Sequence, residues 1–229
     1  MCAGAHIGRI GMNDKQRKLE RYRELNRDAK KGQIVCAGSS LMEMFPVEKF
    51  AAEAGEPVIV YNRGIGGFVT SELLDALDIC ILDLEPSRLF INIGTNDLSD
   101  AQIPISRMMR NYEEILERTR QALPEIEIYL MAYYPVNYEA AAEEMKPCLR
   151  IRTNEKINAA NQEVQKLAER CGYRYIDIGD ALRDERGRLK AEYTIEGMHI
   201  KEEGYREIFP EFMKYAAEPG WRSGSDKIS

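Results

Sequence analysis

Short apolar runs alternate along this chain with longer stretches in which apolar residues recur every three or four positions. The runs fall at residues 33–37, 57–61, 88–93, 127–132 and 173–178. Runs of that length, closed by glycine, serine, asparagine or proline, read as buried strands. Helical spacing covers about 13–31, 69–82, 104–123, 150–171 and 202–216. Strands buried on both faces need a helical layer on each side. The alternation therefore predicts an α/β fold, a three-layer α/β/α sandwich around a five-stranded, mostly parallel sheet.

One domain over 13–220 accommodates all these elements, with no repeat, linker or low-complexity segment inside it. Residues 1–12 read as a disordered leader and 221–229 as a polar tail. The longest irregular connection is 136–149, and loops of that length in a compact domain tend to be functional or mobile. The first helix carries Leu19, Tyr22, Leu25 and Ala29 as one apolar stripe. Its many lysines and arginines are interleaved with acids, which reads as a solvated face rather than a membrane or nucleic-acid contact.

Composition narrows the class. The chain has 229 residues and a formal net charge of −6. An acidic balance argues against a nucleic-acid partner, whose phosphates require a basic surface. No stretch approaches the ~18 apolar residues of a membrane span, and the opening residues lack the apolar run of a signal peptide. A cytoplasmic location is expected. The five cysteines, Cys2, Cys36, Cys80, Cys148 and Cys171, form no C-x-x-C pair. They read as small hydrophobes rather than a disulfide framework or zinc site. Nothing in the pattern dictates an oligomeric state.

Ligands of open α/β sheets sit at the carboxyl ends of strands. The clusters at 38–40, 62–67 and 94–97 each follow a predicted strand, so they should share one edge of the sheet. Histidine is scarce: His6 lies in the leader, which leaves His199 as the candidate base. Glu196, three residues earlier, can accept the Nδ1 proton and leave Nε2 to take a proton from a hydroxyl. Ser39 and Ser40 stand at a strand-to-helix turn, and a serine needs such a base to become a nucleophile. Gly66 and Gly67 either form a tight turn or let backbone N–H groups approach a ligand. Asn96 is either a loop residue or an amide donor to an oxyanion. Asp97 is expected to brace its own loop. Tyr129, Tyr133 and Tyr134 are expected in the core, with Tyr134 and Tyr138 as candidates for the mouth of a pocket.

Together these residues resemble the SGNH hydrolase family, also called GDSL-like lipases and acylhydrolases. Gly38-Ser39-Ser40 matches the Gly-Asp-Ser turn, with the nucleophile third. Asn62-Arg63-Gly64-Ile65-Gly66-Gly67 matches the oxyanion glycine loop, Gly94-Thr95-Asn96-Asp97 the Gly-x-Asn-Asp block, and Glu196-Gly197-Met198-His199 the final Asp-x-x-His block. The blocks occur in the family's order and span most of the chain. Two positions depart from it: Ser39 replaces an aspartate, and Glu196 replaces the aspartate of the triad.

The resemblance implies a flavodoxin-like SGNH hydrolase fold and a serine esterase without metal or organic cofactor. Ser40 would be the nucleophile and His199 the base. Glu196 would orient His199, or else point to solvent and leave a dyad. The backbone N–H groups of Ser40 and Gly67 and the Asn96 side chain would form the oxyanion hole. The implied partner is a small-molecule ester, with short acyl groups favoured and acetyl on a carbohydrate as one form. A lysophospholipase, a thioesterase or an acyltransferase on the same scaffold are the alternatives. A non-catalytic binding module is disfavoured by the intact residue set.

Overall fold

A computed structural model describes residues 13–220, so the leader at 1–12 and the tail at 221–229 lie outside the described residues. The first helix, α1 (Asp14–Arg27), opens on a capping box: Asn13 accepts from the Gln16 backbone, and the Gln16 side chain accepts from Asn13. Strand β1 (Ile34–Gly38) runs directly into α2 (Ser40–Glu43), followed by α3 (Val47–Ala54) and β2 (Val60–Asn62). Next come α4 (Thr70–Asp75), α5 (Leu77–Cys80), β3 (Arg88–Asn92) and α6 (Ile105–Ala122). The remainder is β4 (Glu127–Met131), α7 (Lys146–Leu149), α8 (Asn154–Cys171), β5 (Arg174–Ile176) and α9 (Glu202–Ala216).

The five strands form one sheet in the order β2-β1-β3-β4-β5, and every pairing is parallel. Side chains alternate between two cores. Val35, Ala37, Leu89, Ile91, Ile128 and Leu130 face one layer, with α4, α5, α6 and α8. Ile34, Cys36, Phe90, Tyr129 and Met131 face the other, with α2, α3 and α9. The expected three-layer sandwich is therefore present, and its sheet is wholly parallel. The chain reverses its direction of winding at β1, so the crevice between the carboxyl ends of β1 and β3 is the topological switch point, where open α/β sheets bind ligands.

Several boundaries differ from the sequence pattern, for physical reasons. The run at 57–61 pairs only over Val60–Asn62, because β2 is an edge strand entered past Pro57, which has no N–H to give. The other edge strand, β5, is equally short. The helix expected over 69–82 breaks at Ala76 into α4 and α5. Ile79 and Ile81 are buried off the stripe of Leu73, Leu77 and Cys80, which one straight helix would not achieve. The helix expected from 150 starts at Asn154, where Thr153 caps it by accepting from the Lys156 backbone. The helix α3 was not legible because its stripe of Val47, Phe50 and Ala51 is shorter than the window that reveals helical spacing.

Candidate active site

Strand β1 delivers Gly38 into the sheet edge, Ser39 turns inward and is fully buried, and Ser40 opens α2 half-buried. Ser40 Oγ lies 3.0 Å from His199 Nε2, and His199 Nδ1 lies 2.5 Å from Glu196 Oε1. An ionised carboxylate only accepts, so the proton of the neutral ring belongs on Nδ1 and Nε2 is left to accept from the Ser40 hydroxyl. Glu196 Oε1 also accepts from the His199 backbone at 3.2 Å. Its other oxygen is buried without a hydrogen-bond partner among the described residues. The three residues named from the sequence thus meet, and Glu196 points at the imidazole rather than at solvent.

The turn that carries Glu196 and His199 is tightly held. Ile195 N–H and Thr194 Oγ1 both donate to the His199 carbonyl, at 2.9 and 3.1 Å, and Gly197 N–H donates to Thr194 Oγ1 at 2.8 Å. The 136–149 segment packs along its outer side. Asn137 N–H donates to Gly197 O at 2.7 Å and Ala142 N–H to Glu196 O at 3.3 Å. Gly197 has φ +99°, and a Cβ there would stand 2.6 Å from Ala141 Cβ, so only glycine lets the two backbones approach. The long connection is thus fastened beside the acid. Tyr134 is buried in the core, which takes it away from a pocket mouth, whereas Tyr138 is exposed.

The glycine loop after β2 is fastened from α1. Lys15 Nζ donates to Gly67 O at 2.9 Å and pairs with Glu72 at 2.7 Å. Lys18 pairs with Glu43 at 2.8 Å, and Glu43 Oε2 accepts from Gly66 N–H at 2.7 Å. Tyr22 donates to Gly64 O at 2.7 Å. The basic face of α1, expected to be solvated, is therefore partly a tie to this loop. Spacing could not reveal this, since the partners lie 25 to 57 residues away in the chain. Gly66 has its N–H committed to Glu43. Gly67 is exposed with φ +77°, and no described residue accepts from its N–H.

Beyond β3, Asp97 accepts from Thr70 N–H at 2.9 Å and from Thr70 Oγ1 at 2.6 Å, which ties its loop to the start of α4. Burial raises the Asp97 carboxyl above its ordinary value, and the two Thr70 bonds act against that. Asn96 donates from Nδ2 to Phe68 O at 2.9 Å and accepts at Oδ1 from Arg152 Nη2 at 2.8 Å. Arg152 carries no signal in the sequence, because its contacts are all tertiary. It is 3% exposed and also donates to Ser99 Oγ and to Met198 Sδ, each at 2.7 Å. Burial pushes its guanidinium down to about 10, which leaves it cationic at neutral pH.

Ser40, Asn96 and Gly67 therefore follow β1, β3 and β2 at one edge of the sheet, with His199 brought to Ser40 from the turn before α9. The model of the GDSL-like Lipase/Acylhydrolase family matches residues 37–207, which contain every one of these groups. The chain belongs to this family. A protein of Streptococcus pneumonia, whose structure is named for a platelet activating factor, is 31% identical. The match covers 89% of this chain and 92% of that one with a TM-score of 0.79. A GDSL-like lipase from Bacteroides thetaiotaomicron VPI-5482 has the same fold at 20% identity, with a TM-score of 0.72 over 87% of this chain and 97% of that one. An acetylxylan esterase from Geobacillus stearothermophilus, solved as a catalytic mutant, has it at 16% identity, with a TM-score of 0.63 over 83% and 96%. The GDSL esterase/lipase WDL1 of Oryza sativa subsp. japonica is 20% identical over 171 residues. The match covers 69% of this chain and 65% of the rice protein's length. No helix among the described residues is long and apolar enough to cross a membrane.

Proposed function

We propose that the chain is a serine esterase that cleaves small carboxylic esters through Ser40, His199 and Glu196. The observation that carries this reading is the continuous relay from Ser40 Oγ through the imidazole to Glu196, with contacts of 3.0 and 2.5 Å. In the first step Ser40 Oγ bonds to the ester carbonyl carbon while its proton passes to His199 Nε2. The carbonyl oxygen becomes an oxyanion, held by the N–H groups of Ser40 and Gly67 and by the Asn96 amide. Glu196 steadies the imidazolium formed at that moment. Collapse breaks the bond to the leaving alcohol, which takes the proton from Nε2. Water then attacks the acyl-enzyme, His199 takes its proton, and Ser40 leaves with that proton restored. None of these steps draws on a metal or an organic cofactor.

Short acyl groups fit this site better than long ones. Ser40 follows β1 with one residue between, so no loop is available there to wall an acyl channel. The 136–149 segment, long enough to form a roof, is spent on its bonds to Glu196 and Gly197. Acetyl esters of carbohydrates are one substrate class with this geometry. The test is hydrolysis of p-nitrophenyl esters of increasing chain length by the wild type and by Ser40→Ala. Highest kcat/KM on acetate, falling with chain length and lost in the variant, is expected. A maximum on long chains would reject the short-acyl preference, and an active Ser40→Ala would reject the serine mechanism.

A further inference from the structure

Arg152 is a buried cation without a carboxylate at ion-pair distance among the described residues. Its donors go to three neutral acceptors: Ser99 Oγ, Met198 Sδ and Asn96 Oδ1. The nearby acid, Asp97, is committed to Thr70. Burying a guanidinium on neutral partners is an expensive way to fill space, because an apolar side chain of similar length would avoid the desolvation. Such a group, bonded to Asn96 and to the neighbour of His199, calls for a functional reason.

The reason lies in what the guanidinium does to Asn96. An arginine has no acceptor, so the amide face turned towards Arg152 must be the oxygen. The nitrogen is thereby forced to the opposite side, where Phe68 O takes one of its two N–H groups and the second remains for a ligand. A flipped amide would set Nδ2 against a cation and Oδ1 against the Phe68 carbonyl, losing both bonds. The same guanidinium reaches Met198, the neighbour of His199, so it spans the Asn96 loop and the histidine turn.

We infer that Arg152 is the positioning residue of the oxyanion hole: it locks the Asn96 amide in its donor orientation and polarises it towards the developing negative charge. This rests on the esterase reading above. The positive charge behind Oδ1 withdraws electron density through the amide and makes the Nδ2 hydrogens better donors. The interaction therefore gains strength as the carbonyl becomes an oxyanion, which lowers the barrier rather than the ground state.

The test is a double-mutant cycle on p-nitrophenyl acetate with Arg152→Met, Asn96→Ala and the pair together, with Ser40→Ala alongside. Arg152→Met is expected to lower kcat on the order of 10–100-fold, below the ~10²–10³-fold typical of losing an oxyanion donor itself. KM should stay within about twofold. The pair should be no slower than Asn96→Ala alone, because Arg152 acts through Asn96. The acidic limb of the kcat/KM profile, which reports the base, should stay in place. Wild-type kcat in Arg152→Met, losses that multiply in the pair, or a displaced acidic limb would each overturn the inference. If Arg152→Met does not fold, as judged by circular dichroism, Arg152→Lys replaces it in the same cycle. Lysine keeps the charge but not the three-way fork, so kcat between the wild type and Asn96→Ala, again not additive with Asn96→Ala, is expected. Wild-type kcat or multiplying losses there would overturn the inference too. An active Ser40→Ala would remove the esterase reading and this inference together, and is recognisable separately from any result at Arg152.

Discussion

Ser40 Oγ and His199 Nε2 stand 3.0 Å apart although they are 159 positions apart in the chain. A second bond holds the two segments in register: Tyr205, at the start of α9, donates to Leu41 O beside Ser40 at 2.6 Å. Phe45 stacks on the Tyr205 ring with centroids 5.1 Å apart. The distance between nucleophile and base thus depends on how α9 seats against the segment that follows Ser40 as well as on the histidine turn.

That bond can be tested without disturbing the packing. Tyr205→Phe keeps the ring and leaves the Leu41 carbonyl without its donor. Stability should fall by about 1–2 kcal/mol in urea unfolding, the usual penalty for an unmade buried hydrogen bond. Esterase kcat should fall several-fold as Ser40 loosens against His199. Full stability together with full activity in the variant would show that stacking alone holds the register.

Replacing Ser40 by alanine should remove nearly all esterase activity, approaching the ~10⁶-fold loss that follows removal of a triad nucleophile. Ser39→Ala should keep activity and leave thermal stability unchanged or higher. Its hydroxyl is fully buried with no hydrogen-bond partner among the described residues, so deleting it relieves a desolvated group. A dead Ser39→Ala beside an active Ser40→Ala would move the nucleophile by one position.

For Asn96→Ala the expected signature is a kcat loss of ~10²–10³-fold, or about 2.7–4 kcal/mol of transition-state stabilisation, with little change in KM. Steady-state kinetics decide it. Wild-type kcat with raised KM would assign Asn96 to ground-state binding instead.

Glu196→Gln keeps the size of the side chain but offers an amide where a carboxylate now accepts from Nδ1–H. A comparable isosteric swap in a Ser-His-Asp triad lowers kcat by ~10⁴-fold through the wrong tautomer, and a loss of about 10²–10⁴-fold is expected here. Glu196→Asp should be milder. It must still reach Nδ1 across the 2.5 Å contact from a shorter stem, so some loss will remain. Near-wild-type kcat in Glu196→Gln would reduce the relay to a Ser40–His199 dyad.

Much of this molecule can be read from its one-dimensional pattern. Continuous apolar runs in 33–37, 88–93 and 127–132 mark the central strands, because a strand covered on both faces has no polar side. Scarcity isolates His199, and the strand-end positions of Ser40, Gly67 and Asn96 place them at one sheet edge. These features are local or topological, so the order of residues suffices to determine them. The edge strands β2 and β5 are less legible, since only their neighbours decide how many residues pair. The contacts of Arg152 with Asn96 and Met198, and of Lys15 and Lys18 with the glycine loop, leave no periodic or spacing signal. They arise when elements distant in sequence are brought together, and a buried cation and a solvated one are written with the same letter. Only packing decided that Arg152 lost its water, and that loss is what gives its charge leverage on the amide of Asn96.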